Sequence, residues 1–216
     1  LAAPSVPGKD RWPGVVKPYH FTPKAKRVIW LFMSGAPSHV DTFDYKPELA
    51  KRNGQAYRGN AKLLASPWKF NRHGESGLPI SELFPGVASH ADDLCLLHGM
   101  KAGIPAHAQA QMQLHTGSFQ FVRPSMGSWA LYGLGTENQN LPGFIALRGG
   151  GLPPGGSANY QSAFLPGVYQ GTSINTQAPS VPLMIQNIRN TYVGKSEQRR
   201  QLDMIHQLNE LHAQNL

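Results

Sequence analysis

Positions 34–44 read Ser-Gly-Ala-Pro-Ser-His-Val-Asp-Thr-Phe-Asp and gather hydroxyls, an imidazole and two carboxylates directly behind an apolar run. Carboxylate oxygens and imidazole nitrogens are the donors that a hard or borderline divalent cation takes. Asp41 and His39 are therefore candidate metal ligands, with Zn²⁺ or Ca²⁺ as the ion. The same residue types have a plainer use, because short polar side chains cap helices and close turns through local hydrogen bonds. Ser38, Asp41 and Asp44 fit that use too, and a lone histidine such as His39 is commonly structural.

Two further stretches carry usable groups. Pro105 opens a run of helix formers, so Ala106 and His107 stand where unpaired N–H groups and the positive end of the helix dipole favour an anion. His107 is a candidate catalytic base or ligand there, with packing as its plain alternative; no Ser, Thr or Cys accompanies it. His115 lies about two turns further along, too far to share an ion with His107. In "RPSMGSW", Arg123 is suited to clamp an anion and Ser125 begins another helix. Both are candidate substrate-binding residues, although capping is the usual work of a serine so placed.

These groups need elements to hold them. Residues 1–24 carry Pro4, Pro7, Pro13, Pro18 and Pro23 and read as an extended lead-in. The runs 28–33 (VIWLFM), 94–98 (LCLLH) and 143–148 (GFIALR) read as strands buried on both faces, as in a parallel sheet. Helices are expected over 45–53, over 81–93 with a break at Pro85, over 105–117, and from Ser125 to Gly133 or Gly135. A last helix is capped by Ser196 and aligns Leu202, Ile205, Leu208, Leu211 and His212 on one face that needs a partner. Residues 54–79 read as irregular, and 149–182 as a long Gly/Pro-rich loop of the kind that is usually functional. The order is that of an α/β protein, a sheet flanked by helices, whose ligands bind at the carboxyl ends of the strands. The expected organisation is 1–24 as lead-in, 25–182 as the α/β domain, and 183–216 as a connecting segment and terminal helix of that domain.

With 40% hydrophobic and 15% charged residues, the 216-residue chain can bury a real core. Twenty basic against twelve acidic residues give +8, compatible with an anionic substrate or surface. Those basic residues are scattered, as at Lys24, Lys26 and Arg27 or at Arg199 and Arg200, and no nucleic-acid-binding signature accompanies them. Nucleic acid is not the expected partner. No apolar stretch has the length of a membrane span. Cys95, the single cysteine, excludes an intrachain disulfide and reads as a small buried hydrophobe. The opening "LAAP" suits the position beside a removed export signal, so an extracytoplasmic, periplasmic location is expected. The terminal helix, with no sequence after it to cover its stripe, leads to the expectation of the N-terminal part of a longer protein.

Taken in order, "LFMSGAPSHVDTFDYKPEL", "SGLPISELFP", "ADDLCLLHGM", "HAQAQMQLHTGS", "RPSMGSWALYGLGTENQNLPGF" and "SAFLPGVYQGT" resemble the family called domain of unknown function 1501. The likeness covers about residues 24–214. The family is abundant in planctomycetes and usually exported by the twin-arginine route, and it is grouped with the alkaline phosphatase and sulfatase superfamily. The resemblance implies an alkaline-phosphatase/sulfatase-like layered sheet and a metal-dependent hydrolase of sulfate or phosphate esters. A divalent metal would stabilise the ester's oxyanion. It places Asp41 nearest the first metal-ligand position and puts the nucleophile's helix start at Ala106 and His107. An anionic ester or sulfated polysaccharide is the implied partner. The alternative is a non-catalytic surface or scaffold protein that keeps the fold without the nucleophile.

Overall fold

Proline and glycine punctuate this chain more often than long periodic runs do, and its elements are correspondingly short. The computed structural model describes residues 12–22, 24–138, 140–185 and 190–214. It divides into two units, Pro23–Ala110 and a second that joins Gln111–Leu216 with Leu1–Thr22. Strands and helices mix in both, and the sheets are small: four of two strands each among the described residues. The protein is of mixed α/β class.

In chain order the elements are β1 (Trp12–Pro13), α1 (His39–Thr42), α2 (Pro47–Lys51), β2 (Ala56–Arg58), β3 (Ala61–Lys62), β4 (Phe70–His73), β5 (Leu78–Ser81) and α3 (Pro85–Ala88). There follow α4 (His107–Thr116), α5 (Met126–Leu134), β6 (Gly135–Thr136), β7 (Ile145–Arg148), β8 (Thr172–Asn175), α6 (Val181–Met184) and α7 (Lys195–Gln214). No helix among the described residues is long and apolar enough to cross a membrane.

The Pro23–Ala110 unit is built on two antiparallel hairpins, β2–β3 and β4–β5, which lie in the stretch expected to be irregular except that β5 runs on to Ser81, where a helix was expected to start. The β4–β5 hairpin runs from Phe70 opposite Ser81 to His73 opposite Leu78. Its loop begins at Gly74, where φ is +66° and a Cβ would strike the Asp92 carboxylate. That carboxylate accepts the Glu75 and Ser76 N–H groups at 2.9 and 2.8 Å and so pins the turn. Behind the hairpin, Ile80, Ala88 and Ala91 form a small core against Phe43, Leu78, Phe84 and Leu94. The Phe43 and Phe84 rings lie 5.1 Å apart. As Pro85 requires, α3 starts at the proline rather than running through it.

The other unit pairs β1 with β6 antiparallel and β7 with β8 parallel. The expected third strand is thus real and in a parallel pair, but its partner β8 lies inside the stretch read as a loop. Gly127 and Gly171 make room for Phe144, whose ring a Cβ at either position would overlap. Along α5, Trp129 and Tyr132 extend an edge-on aromatic row to Phe164 and Tyr169.

Two expected strands are corrected. Residues 28–33 belong to none of the sheets, and Val28, Ile29 and Leu31 are 82%, 83% and 88% exposed. Residues 94–98 form no strand either, and Cys95 is exposed rather than buried. Apolar and β-branched composition favours a strand only where a neighbour supplies the ladder and the packing. The α7 helix forms as expected, yet its stripe Leu202, Ile205, Leu208 and Leu211 stays exposed. Short-range ion pairs, Arg199 to Asp203 at 2.9 Å and Arg200 to Glu197 at 2.8 Å, brace it from its own surface.

Candidate functional site

The apolar run gives way at Gly35 and Ala36, both at positive φ (+87° and +62°), and Pro37 and Ser38 lead from that turn into α1. Thr42 Oγ1 donates to the Ser38 carbonyl at 3.0 Å, and the Asp44 N–H donates to the His39 carbonyl at 2.9 Å. These local bonds wind 38–44 into a single tight coil that brings His39 and Asp44 onto one side.

Asp44 is the centre of the cluster. Its Oδ2 lies 2.8 Å from Lys46 Nζ and 3.9 Å from His39 Nε2, and its Oδ1 lies 3.6 Å from His98 Nδ1. The carboxylate is largely shielded, with 21% of its side chain exposed, whereas both imidazoles reach solvent. The Lys46 ammonium, hydrogen-bonded to Asp44, holds that carboxyl below the usual carboxylate range, and His98 and His39 add to the effect. Asp41 faces elsewhere: the hydroxyls of Ser38 and Ser66, hydrogen-bonded to it, lower its pKa as well. An ionised carboxylate beside two solvent-facing imidazoles can hold and move a proton.

As arranged, the described residues present no complete set of metal ligands. Asp44 Oδ2 already carries an ammonium, Asp41 is engaged by two serines, and no group of three His, Cys, Asp or Glu side chains converges among the described residues. Asp41 and His39, the expected ligand pair, lie in one short helix, and no third donor joins them among the described residues.

The other expected residues are spread out. His107 is the first residue of α4 and is exposed. Arg123 is exposed, its guanidinium carbon 6.0 Å from the centre of the Phe121 ring. Ser125 takes the cap position of α5 but is almost wholly buried, and its hydroxyl makes no cap bond. Instead Ser125 Oγ meets Ser128 Oγ at 2.9 Å, and Ser128 Oγ donates to the Gln161 carbonyl at 3.0 Å. That pairing gives Ser125 a packing role in this conformation and turns its hydroxyl away from any solvent-borne substrate.

Residues outside the expected set complete the picture. His98 was read as the end of a strand; its signal was an apolar run closing on a polar residue, the same pattern that marked 28–44. In the second unit, His115 Nδ1 lies 2.8 Å from Asn159 Oδ1. The Asn159 amide nitrogen donates to the carbonyls of Pro154 and Gly156 at 2.8 and 2.9 Å, so its oxygen must face the ring. An amide oxygen only accepts, and His115 therefore carries its proton on Nδ1.

A cleft of about 340 Å³ opens in the Pro23–Ala110 unit, lined among others by Tyr45, Lys46, Ser66, Trp68, Lys69 and Asn71. Through Ser66 and Lys46 it borders both Asp41 and Asp44.

No curated protein and no solved structure matches the chain. The family described as "Protein of unknown function (DUF1501)" matches over residues 25–216, nearly the whole length. The chain belongs to the DUF1501 family.

Proposed function

We propose that the protein is an exported, sulfatase-like hydrolase of sulfate or phosphate esters that works outside the cytoplasm, with an anionic ester or sulfated polysaccharide as substrate. The observation that carries this reading is the accessible cluster of Asp44, Lys46, His39 and His98. In it the Asp44 carboxylate supports an imidazolium, so that His98 or His39 can take a proton from an attacking water. The Lys46 ammonium, 2.8 Å from Asp44, keeps that carboxylate ionised for this role. No step is assigned to a metal. Asp41 and His39 remain the residues from which a Zn²⁺- or Ca²⁺-dependent version of the reading would start. The layered alkaline-phosphatase-like sheet belongs to the same proposal.

Steady-state hydrolysis of 4-nitrophenyl sulfate and 4-nitrophenyl phosphate tests it, with and without chelator, for the wild type and for His98→Ala. The reading expects turnover that falls at least about 100-fold in His98→Ala, the usual scale of a lost proton-transfer group. Absence of turnover on both esters, with added Zn²⁺ or Ca²⁺, would sink it.

A second reading, a non-catalytic surface or scaffold protein, is favoured by one specific feature. The start of α4, where the superfamily resemblance puts the nucleophile, reads Ala106-His107-Ala108. Unchanged binding of an ester analogue with no turnover would select it.

A further inference from the structure

We propose that the cleft beside Asp41 and Asp44 is a binding site for an anionic saccharide, with one sugar unit stacked on Trp68 and Tyr45 and its charged group held by Lys69. Its volume, about 340 Å³, is at the small end of ligand pockets and suits one or two sugar units. Sugars are amphiphilic: one face of the ring is a patch of C–H groups and the edge is hydroxyl. The lining has the matching division. Tyr45 and Trp68 both line the cleft and are 47% and 45% exposed, so aromatic surface is available there to a ligand. Tyr45 is propped from behind by Phe70, ring centres 5.1 Å apart. Asn71 adds an amide group for a sugar's edge.

The wall is held in place. The Trp68 N–H donates to Ser66 Oγ at 3.3 Å, and Asn53 Oδ1 accepts the Ala65 N–H at 3.0 Å. Such fixing lowers the ordering cost of binding.

Charge then selects among sugars. Lys46 is neutralised by Asp44 at 2.8 Å. Lys69 forms no ion pair among the described residues, because Glu82, its neighbour across the hairpin, accepts its backbone N–H instead. Its ammonium is the cation left for a ligand, in a chain with net charge +8. A sulfate ester and a uronate carboxylate both meet that requirement. The inference rests on the reading above for its class of ligand, but binding needs no bond cleavage, so a titration can succeed where the hydrolysis assay fails.

The test is isothermal titration of the intact chain with chondroitin sulfate tetrasaccharide, its desulfated form, cellotetraose and AMP. Both charged oligosaccharides are expected to bind at least about tenfold tighter than cellotetraose. A further tenfold preference for the sulfated form would identify sulfate as the recognised group, and equal binding would identify the carboxylate. Trp68→Ala is expected to weaken both charged ligands about tenfold or more. Lys69→Gln should weaken them similarly while leaving cellotetraose unchanged. No binding of either charged oligosaccharide, unchanged binding in both variants, or AMP bound as tightly as the sulfated sugar would overturn the proposal.

Discussion

Asp44 and Asn159 each hold an imidazole, and they do it in opposite ways. Asp44 is charged, sits among groups that reach solvent, and lies 3.6 Å from His98 and 3.9 Å from His39. Asn159 is neutral and buried, and its three polar contacts, to His115, Pro154 and Gly156, all lie at 2.8 or 2.9 Å. The first arrangement leaves the imidazoles loosely placed and open to water. The second fixes a ring, its tautomer and a Gly/Pro-rich turn at once, and every group it uses would be costly to leave unpaired. On the proposed reading, chemistry belongs to the exposed cluster and shape to the buried one.

The largest effect should come from breaking the buried side. Asn159→Leu leaves the His115 N–H and two carbonyls without their partner and is expected to cost about 3 kcal/mol, read from urea unfolding. Ser128→Ala, which takes the partner from the buried Ser125 Oγ and leaves the Gln161 carbonyl only its bond from the Ser125 N–H, should cost about 1–2 kcal/mol by the same assay. If either variant unfolds at the wild-type midpoint, the network is not what holds that unit.

On the exposed side the expected stability effects are smaller. Asp44→Asn should change stability at neutral pH by no more than about 1 kcal/mol, since ion pairs whose cationic partner reaches solvent contribute little. Its signature is in acid. The folded-state pKa of Asp44 is depressed, so its contribution is present above the unfolded-state carboxyl pKa and is lost as pH falls through the folded value. Asp44→Asn should therefore lose less stability than the wild type on acidification below about pH 4, the range of an unperturbed carboxyl. An identical acid limb in both proteins would contradict the ion-pair geometry. The smallest perturbation is no mutation at all: ¹⁵N chemical shifts of the ring nitrogens at pH 8 should show His115 as the Nδ1–H tautomer. The opposite tautomer would mean that Asn159 is turned the other way.

How much of this was legible in the sequence depends on the range of the interactions involved. The helix over 107–116 follows from a run of alanine, glutamine and methionine behind Pro105, and α5 from Ser125 to a glycine at φ +78°. Those are local signals and they held. The hairpin β4–β5 was missed because His73-Gly74-Glu75-Ser76-Gly77 is flanked by strands too mixed to alternate cleanly. The run 28–33 is strongly apolar, but composition alone does not supply a strand with a neighbour. For the site, the sequence singled out His39 with Asp41 and left Asp44 as readily a turn residue, whereas His98 joins His39 and Asp44 from far along the chain. Asn159 and His115, 44 positions apart, carry no periodic signal that could have linked them.

The central claim, that the exposed cluster works and the buried network holds, is tested most directly by measuring two quantities on two variants. For Asp44→Asn and Ser128→Ala, kcat/KM on an aryl sulfate or phosphate and the unfolding free energy are determined side by side. The account predicts that Asp44→Asn loses at least about 100-fold in kcat/KM with stability within about 1 kcal/mol of wild type. Ser128→Ala should lose stability by about 1–2 kcal/mol and keep kcat/KM within about threefold. Undiminished turnover in Asp44→Asn would contradict it.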